Sequence, residues 1–200
     1  MIYYKYNGPK SVTYCNAENF VLILPMRTAS RYIRSIFNKH FKIEHELNGN
    51  IIASPGYGHW PNFPDSFPKN YYGIMTVRNP YRRAASVYNW LGQIGKPGVK
   101  ESFPECCFVF NPHSSLADYE NAYKPEYHIR LESMQASLNK IPFKGITPEA
   151  ITDEFVPDYE VVGGDWRKVY EKFPGSDKII LEKWREDFEL FNYSTNIEDA

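Results

Sequence analysis

The sequence is poor in cysteine, with three residues in 200, at Cys15, Cys106 and Cys107. An odd count with one adjacent pair does not form a disulfide framework, and no spacing among the three fits a zinc site. A chain of this length buries roughly 70% of its unfolded surface, so it can fold without such cross-links. We therefore predict one domain over residues 1–200, with no bound metal.

The sequence also lacks a long apolar run and an excess of one charge. No segment approaches the ~18 consecutive apolar residues of a membrane span, and the opening MIYYKYNGPK lacks the apolar core of a signal peptide. The net charge of −1 creates no overall field that would attract nucleic acid or anionic lipid. These absences predict a cytoplasmic protein that binds neither nucleic acid nor membrane. A lumenal domain trimmed of its anchor would have the same composition.

Glycine is scarcer than proline, at 12 residues against 15, and the Walker A pattern GxxxxGK[ST] is absent. This absence argues against an ordinary P-loop kinase or ATPase. Arginine, by contrast, is concentrated. Six of the nine arginines fall within 27–34 and 78–83. Because guanidinium groups are planar, always charged and able to donate two hydrogen bonds at once, such clusters are typical of sites for phosphate or sulfate.

Continuous apolar runs of strand length alternate with helical patterns along the chain. The runs predict strands at 20–24, 73–77 and 178–181, with shorter ones at 51–53 and 159–162. Helices are predicted at 30–41, 80–91, 125–139, 147–155 and 183–191, with another that Asp165 caps and that extends to 173, while 92–118 is predicted as loop. This alternation indicates an α/β fold with a mainly parallel central sheet flanked by helices.

The segment 22–37 combines a strand, a tight turn and a helix start. Such a corner directs backbone N–H groups and the positive end of the helix dipole toward one point, where anions bind. Thr28 and Ser30 add hydroxyl donors, and Arg27 and Arg31 add positive charge. The alternative is an ordinary capped helix with surface arginines.

The segment 75–90 repeats this arrangement. Arg78 lies at the carboxyl end of a predicted strand, where ligands bind in open α/β sheets. The Asn-Pro pair that follows is an N-cap and a proline at the first helical position. Ser86 lies two turns further on, roughly on the side of Arg82 and Arg83. The alternative is a surface helix with an N-terminal proline.

Together, the two segments resemble the nucleotide-binding motifs of sulfotransferases that use 3′-phosphoadenosine-5′-phosphosulfate (PAPS), in the carbohydrate (heparan/chondroitin-type) branch. Residues 77–88 meet every fixed position of the second motif, V-R-[ND]-P-x-x-R-x-x-S-x-Y. Residues 25–31 follow the first, approximately P-K-T-[AG]-[ST]-T, with one residue inserted after the proline, Arg27 in place of the lysine and Arg31 in place of the last threonine. Weaker likenesses are Gly-His-Trp-Pro at 58–61 and the E-x-x-x-x-D-F pattern ending at 188.

The resemblance implies a P-loop-NTPase-like sulfotransferase fold that binds PAPS and releases PAP. It implies that the 5′-phosphosulfate is held by Arg27, Thr28, Ala29, Ser30 and Arg31, and the 3′-phosphate by Arg78 and Ser86.

The implied reaction is in-line transfer of a sulfuryl group to an acceptor hydroxyl, on a carbohydrate, without metal. Negative charge develops on the leaving oxygen, where the Arg27 guanidinium would stabilise it. His59 is the candidate base for the acceptor hydroxyl, because histidine can accept a proton at neutral pH; a structural or surface role is the alternative. Glu182 is a weaker candidate for this role, and an internal hydrogen-bond partner is the favoured alternative for it.

Two other functions fit the same residues. Because arginine is a poor proton donor, Arg27 in the lysine position is also compatible with a PAP- or PAPS-binding protein of this fold that is weakly active or inactive. An unrelated α/β nucleotide-dependent phosphotransferase is the third possibility.

Overall fold

A computed structural model provides the fold. It describes residues 12–15, 20–40, 72–93, 95, 102–109, 115–146 and 165–200. The chain divides into two compact units, each made of two stretches: Met1–Val77 with Tyr119–Phe155, and Arg78–Asp118 with Val156–Ala200. That the chain forms one domain over 1–200 stays a prediction.

The first unit contains a four-stranded sheet. In chain order, its strands are β1 (Val12–Cys15), β2 (Phe20–Ile23), β3 (Tyr72–Val77) and β4 (Tyr127–Arg130), and they lie in that order across the sheet. β1 is antiparallel to β2, whereas β2, β3 and β4 are parallel. The predicted α/β class and the parallel sheet are therefore confirmed, and the strands predicted at 20–24 and 73–77 are both present.

Helices account for most of the remaining described structure. They are α1 (Ser30–His40), α2 (Pro80–Gln93), α3 (Glu105–Val109), α4 (Leu116–Tyr123), α5 (Met134–Leu138), α6 (Arg167–Lys172), α7 (Ser176–Lys183) and α8 (Arg185–Leu190), with 3₁₀ turns at Leu131–Ser133 and Ile197–Asp199. The helices predicted at 30–41, 80–91, 183–191 and after Asp165 are confirmed within a few residues. In the described ranges, no helix is long and apolar enough to cross a membrane.

The core of the first unit lies between its sheet and the helices α1 and α5. Phe20 on β2 is fully buried, and its ring contacts Phe37 on α1 at 5.4 Å and Phe143 at 5.2 Å between centroids. Ile74 on β3 and Ile129 on β4 are also fully buried in this cluster. Burying side chains of this size contributes about 1.5–3 kcal/mol each, which holds α1 against the sheet.

The second unit is built around aromatic side chains. The Tyr81 ring on α2 packs against Phe188 at 4.8 Å and Tyr170 at 5.8 Å. The Tyr170 hydroxyl donates to the Tyr81 carbonyl at 2.8 Å, so this buried hydroxyl has a partner. Phe103 contacts Tyr170 at 5.2 Å. These contacts fix α2 on its neighbouring helices.

The strand predicted at 178–181 is wrong, because these residues lie within α7. Ile180 is fully buried but Ile179 is 37% exposed, which suits a helix with one apolar side and not a strand buried on both faces. Asp177 in the first turn and Lys183 in the last turn also favour a helix, since each charge opposes the helix dipole.

The helix predicted at 125–139 is also wrong over its first half. Residues Tyr127–Arg130 pair with β3 as β4, and the helix α5 begins only at Met134. Pairing with the open edge of β3 buries Ile129 completely, and this tertiary gain overrides the local helical pattern. The loop predicted at 92–118 contains α3 and the start of α4. The elements predicted at 51–53, 147–155 and 159–162 lie outside the described residues.

Candidate functional site

The corner between β2 and α1, residues 24–30, is the part of the predicted site that the structure describes most fully. Two of its residues, Arg27 (φ 65°) and Ala29 (φ 54°), have left-handed backbone conformations although neither is glycine. Such conformations cost about 1–3 kcal/mol each and concentrate at ligand-binding and active sites, where the surrounding structure enforces them. Thr28, between them, does not share this conformation. Turns of this kind bring successive N–H groups together into concavities that bind anions.

A buried pair of hydroxyl groups holds this corner in place. The Thr28 hydroxyl donates to the Pro25 carbonyl at 2.6 Å and lies 2.5 Å from the Thr76 hydroxyl on β3. Because each hydroxyl has one proton, the Thr76 hydroxyl must donate to the Thr28 oxygen. Both threonines are completely buried. We call this contact the threonine latch.

The latch gives Thr28 a structural role. The Thr28 hydroxyl, predicted to donate to a ligand, donates to the Pro25 carbonyl in the structure, and the Thr28 N–H donates to the same carbonyl at 3.3 Å. Thr28 therefore shapes the corner, and its contact with a ligand stays a prediction.

Helix α1 begins immediately after the left-handed residues. The Ala29 carbonyl accepts the Ile33 N–H at 3.0 Å, so Ala29 caps the helix and Ser30 is its first residue. The first turn contains no acidic residue, so no carboxylate of this turn neutralises the positive end of the helix dipole. Arg27 and Ser30 are half-buried, whereas the side chain of Arg31 lies outside the description. This geometry suits the binding of an anion.

The second predicted segment ends β3 in the first unit with residues 75–77, and its residues 78–90 belong to the second unit. Arg78 follows directly after β3 and is half-buried. The Asn79 side-chain oxygen accepts the N–H groups of Tyr81 at 2.9 Å and Arg82 at 3.4 Å, so the predicted N-cap is confirmed. Because this cap occupies N–H groups at the start of α2, an anion beside Arg78 would be bound mainly by side chains. Ser86 on α2 is half-buried.

Arg83 differs from the expectation that it faces the same side as Ser86. Its side chain is completely buried, 3.7 Å from the Asp187 carboxylate and 5.1 Å from the centre of the Trp184 ring. Arg83 is thus part of the interior of the second unit and cannot reach a ligand at the surface.

The sequence analysis did not identify Asp187 as the charged partner of Arg83. Its Oδ1 atom accepts the Ser115 hydroxyl at 2.7 Å and the Ala117 N–H at 2.8 Å. Burial raises the pKa of Asp187, while the Arg83 guanidinium and these hydrogen bonds act in the opposite direction. The carboxylate therefore connects α8, α2 and the start of α4 within this unit. The only sequence signal was the Asp-Phe pair that ends the weak late motif.

The structure says little about the two candidate bases, His59 and Glu182. His59, the candidate base, lies outside the described residues, as does the Gly-His-Trp-Pro stretch that contains it. Glu182 is exposed on α7. Within the described ranges, no group of three or more His, Cys, Asp or Glu side chains is placed to hold a metal ion.

The structure thus brings together the β2–α1 corner and β3 through the threonine latch. Arg78 and Ser86 are described with the other unit, and their meeting with the corner around one ligand stays a prediction. Comparisons of the chain with protein-family models, curated proteins and solved structures found no match.

Proposed function

We propose that this protein is a PAPS-dependent sulfotransferase of the P-loop-like sulfotransferase fold, which transfers a sulfuryl group to a hydroxyl on a carbohydrate acceptor and releases PAP. The observation that carries the proposal is the β2–α1 corner, in which Arg27 and Ala29 hold left-handed conformations directly before a helix without acidic residues in its first turn. A strained corner of this kind, next to a helix N-terminus, is suited to a compact oxyanion.

The topology of the sheet supports the proposal. β2 and β3 are parallel neighbours, with Ile23 opposite Met75, so both strands end at the same edge. The two arginine-containing motifs follow directly after these two strands. Ligands of open α/β sheets bind at the carboxyl ends of the strands, which is where a nucleotide with two anionic ends would be held.

The roles of individual residues follow from the resemblance, adjusted to the structure. N–H groups at the start of α1, with Arg27, Ser30 and Arg31, would hold the 5′-phosphosulfate. Thr28 would keep the corner in shape through the latch. Arg78 and Ser86 would hold the 3′-phosphate with their side chains.

The chemistry requires one bond to form and one to break. The acceptor oxygen attacks sulfur, its proton passes to a base, and the bond from sulfur to the bridging phosphate oxygen breaks with its electron pair on PAP. The Arg27 guanidinium would stabilise the negative charge on that leaving oxygen more strongly in the transition state than in the ground state. His59 is proposed as the base from the sequence alone.

Arg27 also favours one second candidate function. A guanidinium neutralises charge but does not give up a proton near neutral pH, so a protein that binds PAP or PAPS without efficient turnover fits the same corner.

Transfer of labelled sulfate from PAPS to a panel of glycans separates these functions. A sulfotransferase is expected to label at least one glycan, and Arg27→Ala should lower kcat about 10²–10³-fold because it removes a charge that acts on the transition state. Arg27→Lys restores the charge together with a proton donor, so it should retain or increase activity. Arg185→Ala, at an exposed position on α8, is the matched control and should leave the rate unchanged. If neither the natural chain nor Arg27→Lys labels any glycan although both bind PAP, the protein is a binding protein and the transferase proposal is wrong.

A further inference from the structure

A groove of about 300 Å³ lies in the first unit, between the strand β4 and the helix α5. This volume is at the lower end of the range typical of small-molecule sites. Its lining includes Glu126 directly before β4, Tyr127, His128 and Arg130 from β4, and Ser133 and Lys140 from the segment that follows. None of these residues belongs to the motifs considered above. The groove is therefore large enough for one small molecule, and the motifs of the nucleotide site do not account for it.

Hydrogen bonds fix the two walls of the groove to each other. The Ser137 hydroxyl on α5 accepts the Arg130 N–H at 3.1 Å and donates to the Ser133 carbonyl at 3.0 Å. Ser137 is buried, and Leu138 beside it is packed into the core of the unit. The groove is thus a preformed feature of the fold, and a ligand would enter it without reorganising the backbone.

The acidic side chains near the groove are engaged with protein groups. Glu126 accepts the Gly73 N–H with its carboxylate, and Glu120 lies 2.7 Å from the Nε2 atom of His128. Lys140, by contrast, is exposed and has no carboxylate partner among the residues that the structure describes. Among the residues that line the groove, Arg130 and Lys140 provide two positive charges against the single carboxylate of Glu126.

Polar groups that can form hydrogen bonds with hydroxyls lie beside Arg130 and Lys140. The His128 side chain is 32% exposed and is oriented by Glu120, so its ring is held in place yet can be reached from the groove. Ser133 adds a hydroxyl, and Tyr127 adds an aromatic side chain. Arginine and lysine recognise carboxylate, phosphate and sulfate alike, whereas the neighbouring groups suit an uncharged, hydroxylated part of the same ligand.

We propose that the β4–α5 groove is a binding site, separate from the nucleotide corner, for a small hydroxylated molecule that carries one anionic group. Arg130 and Lys140 bind the anionic group, and His128 with Ser133 binds the hydroxyls. The inference does not depend on sulfuryl transfer, because its readout is binding in the absence of PAPS.

Three probes with the same sugar scaffold test the proposal: D-glucose, D-glucuronate and D-glucose 6-phosphate, titrated into the full chain and followed by NMR. At least one of the two anions is expected to bind and neutral glucose is not, and the tighter anion identifies the group that the groove prefers. Arg130→Gln should weaken binding about tenfold, as expected for loss of a hydrogen bond to a charged group. Lys140→Gln should weaken it about threefold, because exposed charge pairs are weaker.

The matched control is Lys144→Gln, an exposed lysine of the same unit that does not line the groove, and it should bind as the natural chain does. Unfolding curves of each variant show whether it is folded. Equal binding of glucose, no effect of either groove substitution, or absence of binding by both anions would overturn the proposal. Displacement of the bound probe by PAP would also overturn it, because the groove would then be part of the nucleotide site.

Discussion

At the scale of single residues, the Thr28 hydroxyl determines the geometry of the β2–α1 corner. It is completely buried and bonded to both the Pro25 carbonyl and the Thr76 hydroxyl. Leaving a buried hydrogen-bonding group without a partner costs about 1–3 kcal/mol. The latch can therefore offset part of the strain stored at Arg27 and Ala29.

Replacing Thr28 by valine keeps its shape and removes its hydroxyl. Thr28→Val should lower the free energy of unfolding by about 1–3 kcal/mol, since Thr76 then loses its buried partner. Thr76→Val should have a similar effect. The double variant should lose less than the sum of the two, with a coupling energy of about 0.5–3 kcal/mol in urea denaturation. Strictly additive losses would show that the two hydroxyls do not depend on each other.

The sequence predicts the residues of this corner better than their roles. An apolar run, a turn with arginine and hydroxyl residues, and a helix start are local features, and each was found where expected. The burial of Thr28 depends on Thr76, which is 48 positions away, and no local pattern contains that pairing. For the same reason the sequence does not predict that Arg83 is buried, because its ion-pair partner, Asp187, lies 104 positions later in the chain.

At the scale of secondary-structure elements, the start of α2 depends on one side chain. Asn79→Ala removes the oxygen that accepts the N–H groups of Tyr81 and Arg82, and should lower the free energy of unfolding by about 1 kcal/mol. Asn79→Asp keeps an acceptor and should be nearly neutral. Urea denaturation of the two variants measures the difference. Equal losses in both would show that the amide, and not the acceptor oxygen, stabilises this helix.

Helix α2 is also joined to α8 by the buried pair of Arg83 and Asp187. Arg83→Met leaves the carboxylate buried without its counter-charge and should lower the free energy of unfolding by about 3–5 kcal/mol at pH 7. Arg83→Met with Asp187→Asn removes both charges and keeps an acceptor for Ser115 and Ala117, so it should recover most of this loss. Arg185→Met, at an exposed position, is the control and should change the free energy of unfolding by less than about 0.5 kcal/mol.

The loss in free energy of unfolding caused by Arg83→Met should depend on pH. Burial raises the pKa of Asp187, and removing Arg83 removes an influence that lowers it. A carboxyl group with a raised pKa in the folded state binds its proton more tightly there than in the unfolded chain. Its contribution is therefore most favourable below the unfolded value near 3.9 and is lost as the pH rises through the folded value. The deficit of Arg83→Met should shrink between pH 7 and pH 4; a constant deficit would contradict a buried charge as its cause.

Elements with a strong local signal were predicted well, and the others were decided by tertiary contacts. α2 has an N-cap, a proline and a helical apolar pattern, and it was found within two residues of its predicted end. The segment 178–181 contains three consecutive apolar residues, a length that cannot distinguish a strand from a helix, and it lies in a helix. Residues 127–130 form β4 because they pair with β3, and no pattern within 125–139 predicts this pairing.

At the scale of the whole molecule, the proposed function depends on one nucleotide being held by both arginine-containing motifs. Arg78→Ala should abolish PAP binding, because Arg78 is the residue proposed to supply the positive charge that binds the 3′-phosphate. His59→Ala should preserve PAP binding and remove turnover. If His59→Ala retains the full rate of sulfate transfer, a different group is the base.

The most direct measurement is the melting temperature of the natural chain with PAP, compared with its melting temperature with ATP and Mg²⁺. A ligand that binds only the folded state stabilises it by RT ln(1 + [L]/Kd), or about 2.7 kcal/mol at a hundredfold excess over Kd. We predict that PAP raises the melting temperature and that ATP with Mg²⁺ does not. A rise with ATP and Mg²⁺ and none with PAP would indicate a phosphotransferase and contradict the account.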